Sequence, residues 1–500
     1  MSIWREILGL PVKPAGLQCR NAYGYSAAQV GRLFADFNAS KGSADSELKY
    51  TLETMRERCR DLARNDPYVK RYLRLRQNNI VGKDGFSHQV KALNDFTGEL
   101  DSVGNQLVED SWKVFTRKGN CTPDGRQSFT DLCKAVDSAV CRDGEAFIQI
   151  VKGQTFPHRI AFHHFEADRI DHKKNERLKN GNEIRMGVEI NRYDRPVAYW
   201  IQDEHPGDTD FATINKRASR RVPADQIIHV FEQLRPGQTR GEPPLAPVVA
   251  QIKMLNAHRE AELVAARLSA SKMGFFTSDS GDELPADDYE NGSGTVPIID
   301  AEPGTFHQLP RGVDFTPFDM NHPSTAFEDF QKGILRGIAS AMGVSYASLA
   351  NDLTQTSYSS IRQGALEERD SYAGMQQFLI EHFVLPVYSA WLASVMEFGI
   401  INLPIRQFDK FYGATTFRGR GWQWVDPQKE ISAAVEAMHN GIMSPQDVSN
   451  HYGRDFQETQ KEWQSAQQIA EAYGQELAFG PFGANKANKP ILMEPDDGEL

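Results

Sequence analysis

The stretch that most constrains the fold is "HVFEQLRPGQTRGEPPLAP", which runs from His229 to Pro247. A strand-like run stops there at an Arg-Pro-Gly turn, a charged loop follows, and the pair Pro243 and Pro244 opens a long helical pattern. Proline is well tolerated in the first turn of a helix, where its missing N–H has no partner to lose. We therefore expect the chain to leave a sheet here and to enter a long helix, with this proline pair in the helix's first turn.

The residues before this junction follow a period of two, which is typical of strands. The runs "EAFIQIV", "RIAFHHF", "RMGVEI" and "RPVAYWI" all lie between Glu145 and Phe231. Met186, Val188 and Ile190 fall on one face of such a strand, just before the "NRYDR" turn. This part of the chain predicts a β-rich layer.

The residues after the junction, from Pro243 to Lys272, have a helical pattern about 45 Å long at 1.5 Å per residue. Its second half consists mostly of alanine and charged residues, so one subunit's core cannot bury the whole helix, and we expect neighbouring chains beside it. The apolar stripe of its first half contains Leu245, Val248, Val249, Ile252 and Leu255.

A second helix is predicted to return antiparallel to the first. Its segment "TAFEDFQKGILRGIASAMG" ends at Gly343 and has Phe327, Phe330, Ile334 and Ile338 at helical spacing. The residues between the two helices are acidic and rich in Gly and Ser at first, and "GTFHQLPRGVDFTPF" then resembles a short hairpin. The pattern predicts a helix pair with an exposed tip.

Two tandem helices precede the β-rich layer in "LETMRERCRDLARNDPYVKRYLRLRQNNIVG". The first ends near Asn65, Asp66 caps the second, and Pro67 lies in its first turn. Because acidic residues are interleaved, we expect a solvated or subunit-contact face here rather than a nucleic-acid patch. The arginines that share this face are Arg56, Arg60 and Arg64.

The chain after Gly343 predicts a polar loop and then more helices. The loop runs from Val344 to Ser357, and a long helix starts near Tyr358. The apolar segment 378–401 contains Glu381, His382 and Pro386, so its uncharged run is too short to span a bilayer, and we expect a buried helix. Further capping signals occur at Asp426 with Pro427 and at Ser444 with Asp447, which predict a small helical domain before an acidic tail.

Charge and cysteine content exclude some functions. A chain of 500 residues is expected to form at least two packed regions. Its net charge of -11 argues against a protein that grips nucleic acid through a broad basic face. The cysteines have no metal-ligand spacing, so we interpret them as reduced, buried small side chains: Cys19, Cys59, Cys121, Cys133 and Cys141.

Motifs of enzyme chemistry are absent from the sequence, which has no phosphate loop, HExxH, GxSxG or glycine-rich dinucleotide turn. We therefore assign no catalytic residue, metal or cofactor. One cluster of metal-capable side chains is interpreted as an edge strand and a turn, because adjacent strand residues such as His163 and His164 point to opposite faces; it contains His158, His163, His164, Asp168, Asp171 and His172. The trio Glu367, Glu368 and Asp370 is interpreted as a charged helix face.

The order of these segments resembles the lambda-type portal proteins of tailed bacteriophages. The matching stretches are "LETMRERCRDLARNDPYVKRYLRLRQNNIVG", "IIHVFEQLRPGQTRGEPPLAP", "TQTSYSSIRQGALEERD" and "WQWVDPQKE", and the resemblance extends from about Arg20 to Trp463. The most specific stretch is "RPGQTRGEPPLAP". The chain departs from the family at Arg20 to Tyr25, where it has "RNAYGY" and the family has a "GRTGW"-like stretch.

The resemblance implies an α+β, ring-forming portal fold with a mixed α/β wing, a two-helix stem, a small α/β clip and an α-helical crown. By position, it divides the chain into an N-terminal arm (1–45), a wing (46–241), a first stem helix (242–272), a clip (273–324), a second stem helix (325–343), a channel loop (344–357), a long helix with wing closure (358–425), a helical crown (426–478) and a flexible acidic tail (479–500).

The resemblance also implies a function. Identical subunits, usually twelve, form a ring at one capsid vertex, through which the terminase motor pumps double-stranded DNA in and through which the DNA later leaves. The implied partners are the terminase large subunit, the major capsid and scaffold proteins and the head-completion or adaptor proteins, with no membrane. The implied location is the virion, after assembly in the host cytoplasm.

Two sets of residues are assigned from their positions. The wing–stem hinge contains Arg235, Pro236, Gly237, Arg240, Gly241, Pro243 and Pro244. The DNA-facing channel loop contains Asn351, Asp352, Thr354, Gln355, Thr356 and Ser357. An acidic ring suits this role because a basic lining would bind phosphates and slow the DNA. Two alternatives stay open: a phage-associated metal-dependent nuclease or hydrolase that uses the His158 to His172 cluster, and a structural adaptor that passes no DNA.

Overall fold

The computed structural model describes residues 41–95, 97–208, 219–270, 274–278, 313–317, 326–354, 358–422, 427–451 and 454–474. Within these ranges, the chain contains both helices and strands. Residues 1–40 of the predicted N-terminal arm, most of the region between the two predicted stem helices, and the tail lie outside the described residues, as do Cys19 and Asp426, whereas Ala44 and Asp45 of the predicted arm belong to the first helix.

In the described part of the chain, four α-helices precede the β-rich layer: α1 (Ala44–Asn65), α2 (Pro67–Arg76), which continues into a π turn at Gln77–Val81, α3 (Ser102–Phe115) and α4 (Phe129–Asp143), with strand β1 (Ser87–Val90) between α2 and α3. The predicted corner between α1 and α2 is confirmed. Asp66 accepts hydrogen bonds from the backbone N–H groups of Tyr68 and Val69, and Pro67 is the first residue of α2. Four cysteines are free and buried, as expected: Cys59, Cys121, Cys133 and Cys141.

The predicted β-rich layer is confirmed and consists of two antiparallel sheets. The first has the order β3 (Ile160–Phe165), β2 (Glu145–Lys152), β9 (Ile227–Phe231). The second runs in chain order through β4 (Glu176–Arg177), β5 (Glu183–Arg185), β6 (Val188–Ile190), β7 (Pro196–Gln202) and β8 (Ser219–Pro223). Glu145, at the start of β2, pairs with Phe231, at the end of β9, so the chain leaves the sheet next to Glu145.

One residue of the expected strand face lies elsewhere. Val188 and Ile190 pack in the core between the sheets, but Met186 precedes β6 at a turn with φ of 48° and packs with Leu48 and Leu52 of α1. The period-two pattern was therefore wrong for Met186, because the turn at Met186 and Gly187 interrupts the strand.

The two helices that the sequence predicts as the stem, called the stem helices below, are α5 (Val249–Ala270) and α6 (Ala326–Ala341). The expectation that Pro243 and Pro244 occupy the first turn of the helix is wrong. A 3-10 turn, Ala246–Val248, precedes α5 and contains Pro247, so this third proline takes the place where no amide donor is needed. The residues before it form a turn in which the Pro243 carbonyl accepts from Ala246 N–H at 2.9 Å.

Two short strands lie between the stem helices. β10 (Gly274–Ser278) follows α5 and pairs antiparallel with β11 (Val313–Pro317). The hairpin expected within residues 304–318 lies largely outside the described residues, and β11 pairs with the distant β10.

A short helix and a long helical region follow α6. They are α7 (Tyr346–Ala350), α8 (Tyr358–Leu379), a π turn at Ile380–Val384 and α9 (Leu385–Glu397). By length and composition alone, Arg362–Glu397 is the one stretch of the described chain that could cross a membrane. Tyr388 and Trp391 are fully buried there and pack in the main hydrophobic core, which is the expected position of a core helix.

The last described elements are α10 (Phe408–Gly413), β12 (Thr415–Arg418), α11 (Pro427–His439), α12 (Pro445–His451) and α13 (Phe456–Ala472). The predicted helices of the small C-terminal domain are confirmed. Ser444 and Asp447 form the expected reciprocal cap, since Ser444 Oγ accepts from Asp447 N–H and the Asp447 carboxylate accepts from Ser444 N–H.

His88 of β1 predicts a loss of stability in mild acid. Its ring lies among Trp112, Tyr388 and Phe417, at 5.7, 4.9 and 4.8 Å between centroids, and its nitrogens have no hydrogen-bond partner among the described residues. Burial lowers the pKa of His88 to about 3. The unfolded chain, with a pKa near about 6.5, therefore binds the proton first, and stability falls as the pH drops below that value.

We expect His88→Phe to remove about 1–2 kcal/mol of the stability difference between pH 7 and pH 5. The measurement is urea unfolding of both proteins at the two pH values. Equal acid sensitivity of the two would show that His88 is already protonated or solvated in the folded chain.

Candidate functional site

The junction between sheet and stem is organised around one buried carboxylate, Glu145. Arg240 donates to both of its oxygens, at 2.6 to 3.0 Å, and Arg56 Nη2 donates to Oε1 at 2.7 Å. His229 Nε2 lies 3.0 Å from Oε2, and Gly241 N–H donates to the same oxygen at 3.1 Å. The side chains of Glu145 and Arg240 are both 0% exposed. Glu145, the first residue of β2, therefore connects α1, β9 and the segment that leads to α5.

The charges of this cluster are fixed by their surroundings. Burial alone would raise the pKa of Glu145, but Arg240, His229 and Arg56 more than offset it, so the pKa lies well below its usual range. Burial lowers the pKa of His229, although Glu145 opposes that shift. We call Glu145 and the groups bonded to it the Glu145 node. At neutral pH this node contains an ionised Glu145, two guanidinium groups and a neutral His229.

Two glycines let the backbone segments meet at this node. Gly144, with φ of +88°, ends α4, and Gly241 lies against it. A Cβ on Gly241 would lie 2.2 Å from the Gly144 carbonyl oxygen, and one on Gly144 would lie 2.5 Å from the Glu242 carbonyl carbon. No larger residue fits either position without moving the backbone.

The residues before the node bind the start of α1. Thr239 donates to Asp45 through its backbone N–H at 2.8 Å and its hydroxyl at 2.6 Å. Arg235 donates to the Glu47 carboxylate at 2.8 Å and to the Gly42 carbonyl at 3.0 Å. The segment predicted as a hinge is thus hydrogen-bonded to α1 through Arg235 and Thr239, and to Glu145 through Arg240 and Gly241.

The structure brings together only part of the predicted hinge set. Arg240 and Gly241 converge on Glu145, whereas Arg235 contacts α1, Gly237 forms a turn with φ of +75°, and Pro236 is exposed. Pro243 and Pro244 lie between the node and the helix. Sequence reasoning missed Glu145 and Arg56, and the signal that could have found Glu145 is a carboxylate at the start of an otherwise apolar strand.

The expectation of a solvated or subunit-contact arginine face on α1 is wrong for two of its three members. Arg56 is 1% exposed and pairs with Glu145, and Arg60 pairs with Asp143 at 2.7 Å and with Asp168. Only Arg64 is solvated, with a side chain that is 74% exposed. The face is buried because α1 packs against the acidic ends of α4 and β2.

The histidine cluster does not form one site. His158 is buried and its Nδ1 accepts from Trp391 Nε1–H at 3.2 Å, while His172 Nε2 lies 2.7 Å from the Lys49 carbonyl oxygen. His163 and His164 are neighbours on β3, each opposite a different residue of β2. Burial lowers the pKa of His164 to about 4.

Glu166, Asp168 and His205 are the one trio in the described chain whose ligand atoms lie within 4.8 Å of one another. Their charges already have partners. Asp168 pairs with Arg56 and Arg60, and Glu166 lies 3.0 Å from His205 Nε2. Two guanidinium groups on Asp168 oppose a bound cation.

The base of the stem is tied to the corner between α1 and α2. Asn256 of α5 donates to Asp66 at 2.9 Å, and Gln331 of α6 donates to the Tyr68 hydroxyl at 3.2 Å. His258 packs on Phe330, with centroids 5.1 Å apart. Both helices are therefore hydrogen-bonded to the corner between α1 and α2, α5 through the capping residue Asp66 and α6 through Tyr68.

The segment predicted as a channel loop is partly helical. Ser345 caps α7, and Asn351 ends it with φ of 56°. Asp352 then accepts from the Thr354 backbone and hydroxyl, at 3.0 and 2.6 Å, and from the Tyr346 hydroxyl at 3.0 Å. These bonds lower the pKa of Asp352 to about 2, with the Thr354 hydroxyl as the largest cause. Gln355, Thr356 and Ser357 lie outside the described residues.

A carboxylate of α8 holds this segment in place. Glu368 accepts from Ser345 N–H and from the Ser348 hydroxyl, the latter at 3.0 Å. The interpretation of Glu367, Glu368 and Asp370 as a charged helix face is therefore wrong for Glu368, which caps the neighbouring helix. Its partner lies 23 residues away, so helical spacing gave no signal.

Comparison with known proteins decides the family. The model of the lambda family of phage portal proteins matches residues 30–376. The chain is 34% identical to a probable portal protein of Halomonas phage phiHAP-1 over 97% of this chain and 94% of that protein. It is 25% identical to portal protein B of Escherichia phage lambda, over 89% and 90%. The chain belongs to the lambda family of phage portal proteins. This confirms the resemblance, the portal fold and the portal function at a capsid vertex.

Solved structures add a fold comparison for this portal protein. A chain in the neck of a native GTA particle, computed with C12 symmetry, has 14% identity and a TM-score of 0.41 over 77% of this chain and 90% of that one. An HK97 family phage portal protein from Corynebacterium diphtheriae has 13% identity and a TM-score of 0.33 over 75% and 98%. Because these TM-scores are low, the family assignment depends on the sequence comparisons.

Proposed function

We propose that copies of this portal protein assemble into a closed ring, with α5 and α6 as its stem and duplex DNA passing through its centre. The observation that carries the proposal is that α5 is apolar on two opposite sides. One side packs inside the chain, where Ile252 and Leu255 are each 1% exposed. The other side is exposed, and its members recur at alternating spacings of four and three: Ala250, Met254, Ala257, Ala261 and Val264.

An apolar side of this kind needs a partner. Met254 is 71% exposed and Val264 is 47% exposed in the single chain. Exposed apolar surface of this kind marks a protein interaction site, and spacings of four and three are those of a helix-packing seam. A ring in which each copy covers the next buries this side in every copy without leaving an open end.

The size of the assembly tests this proposal. We expect mass photometry at micromolar concentration to give a closed multiple of the 56.2 kDa chain, with twelve copies as the expected number. Met254→Asp, which places a charge on the exposed side of α5, should shift the population to smaller species. Only monomers for the unaltered protein would contradict the ring.

The remaining parts of the proposal concern DNA and partners. In the ring, the segment 344–354 faces the axis, where Asp352 of every copy repels phosphates, and the net charge of -11 per chain keeps the duplex from adhering. The region around β10 and β11 meets the terminase large subunit. Capsid, scaffold and head-completion proteins bind the outer surface, assembly precedes incorporation into the virion, and the ring has no enzymatic activity of its own.

A further inference from the structure

Contacts inside one chain define which residues of the two stem helices lie at the same level. Gln251 lies beside Gly337, with its Oε1 3.9 Å from where a Gly337 Cβ would be, and His258 packs on Phe330. The helices are therefore antiparallel, with residue 260 of α5 near the level of residue 328 of α6.

The outward sides of both helices carry charges at matching distances. On α5, Glu260 and Arg267 are exposed and seven residues apart. On α6, Asp329 and Arg336 are exposed and also seven residues apart. Glu260, Asp329 and Arg336 form no ion pair within the described chain, although Arg336 lies 5.6 Å from the centroid of the Tyr346 ring.

We propose that α5 of each copy packs against α6 of the next copy in one register, with Glu260 paired to Arg336 and Arg267 paired to Asp329. This inference rests on the proposed ring. In antiparallel helices, the order of charges on one is reversed on the other, so both pairs form together. Seven residues span about 10.5 Å on each helix, so the two separations are equal.

The residues between the charges fit the same register. Val264 of α5 then lies at the level of residues 332 and 333 of α6. A Cβ on Gly333 would meet no atom of the described residues within 4 Å, so the neighbouring Val264 has space there. Alanine and glycine at such contacts allow helices to approach closely, which increases dispersion contacts.

The register also predicts the geometry of the stem. If α5 of one copy met α6 of the next at the levels found within one chain, Lys253 would lie beside Arg336 of the next copy and Glu260 beside its Asp329. Like charges would then face each other in both pairs. Pairing Glu260 with Arg336 instead requires a shift of eight residues, about 12 Å along the helices. Neighbouring copies in a ring lie at equal height, so this shift requires the stem helices to be inclined to the ring axis.

Charge exchange tests the pairing. Glu260→Arg and Arg336→Glu should each lower the association constant between copies at least about tenfold, because like charges then meet. The combined variant Glu260→Arg/Arg336→Glu restores the pair and should recover ring formation. Glu397→Arg, the same charge change on an exposed wing residue, is the matched control and should assemble normally. The readout is mass photometry over a series of concentrations.

Cysteine pairs provide a second test that does not depend on charge. Val264→Cys/Gly333→Cys should give a ladder of covalent multimers on a denaturing gel after mild oxidation. Gln251→Cys/Gly337→Cys, whose positions adjoin within one chain, should give a cross-link without a ladder. A wild-type ring with neither charge rescue nor a ladder overturns this register while leaving the ring intact. A wild-type protein that stays monomeric overturns the ring and the register together.

Discussion

Glu145→Gln is expected to lower the free energy of unfolding by about 3–5 kcal/mol. Glutamine has almost the same shape, so no cavity forms. However, Arg240 and Arg56 would keep buried guanidinium groups beside a neutral amide, and Arg240 contacts no second carboxylate within the described residues. An unpaired charge in a protein interior is among the most destabilising single changes.

Denaturant unfolding at pH 7 and one fixed protein concentration measures this effect. Glu397→Gln is the matched control, because Glu397 pairs with Lys152 at 3.7 Å and both side chains are 57% exposed. That change should cost less than about 1 kcal/mol. Equal effects of the two substitutions would show that the Glu145 node does not hold sheet and stem together.

Asp352→Lys is expected to slow or stall DNA packaging at low salt, with recovery as salt is raised. The change removes one negative charge and adds one positive charge per copy, close to the proposed channel axis. Each new phosphate contact should steepen the salt dependence of DNA binding by about one unit of log K against log salt. The measurement is packaging rate and DNA retention at several salt concentrations.

Asp352→Asn separates the charge from the local fold. The amide oxygen can still accept from the Thr354 N–H and hydroxyl, and the amide NH2 can donate to the Tyr346 hydroxyl where the second carboxylate oxygen accepted from it, so the loop is preserved while the negative charge is lost. We expect this variant to package with only a small salt effect. Packaging by Asp352→Lys at the wild-type rate in low salt, with normal ring assembly, would place the segment away from DNA.

Local signals allowed much of the fold to be predicted from the sequence. The cap at Asp66 with Pro67, the reciprocal cap of Ser444 and Asp447, and the period-two runs after Glu145 each depend on residues within a few positions of one another. Such signals act through the backbone of the same segment, so the sequence contains them directly.

The candidate site could not be predicted in the same way. Glu145 binds Arg56 across 89 residues and Arg240 across 95, and nothing in a helical charge pattern distinguishes a buried arginine from a solvated one. α5 starts at Val249, after a segment in which Gly241 is bonded to Glu145 and lies against Gly144. Pro243 and Pro244 belong to that segment and were therefore a misleading signal for the helix start.

Imaging the purified full-length chain by cryo-electron microscopy tests the portal account most directly. We expect a closed ring with a central hole of duplex width, α5 of each copy against α6 of the next, and residues 344–354 at the hole. Particles without a central hole, or a ring with residues 344–354 on its outer surface, would contradict it.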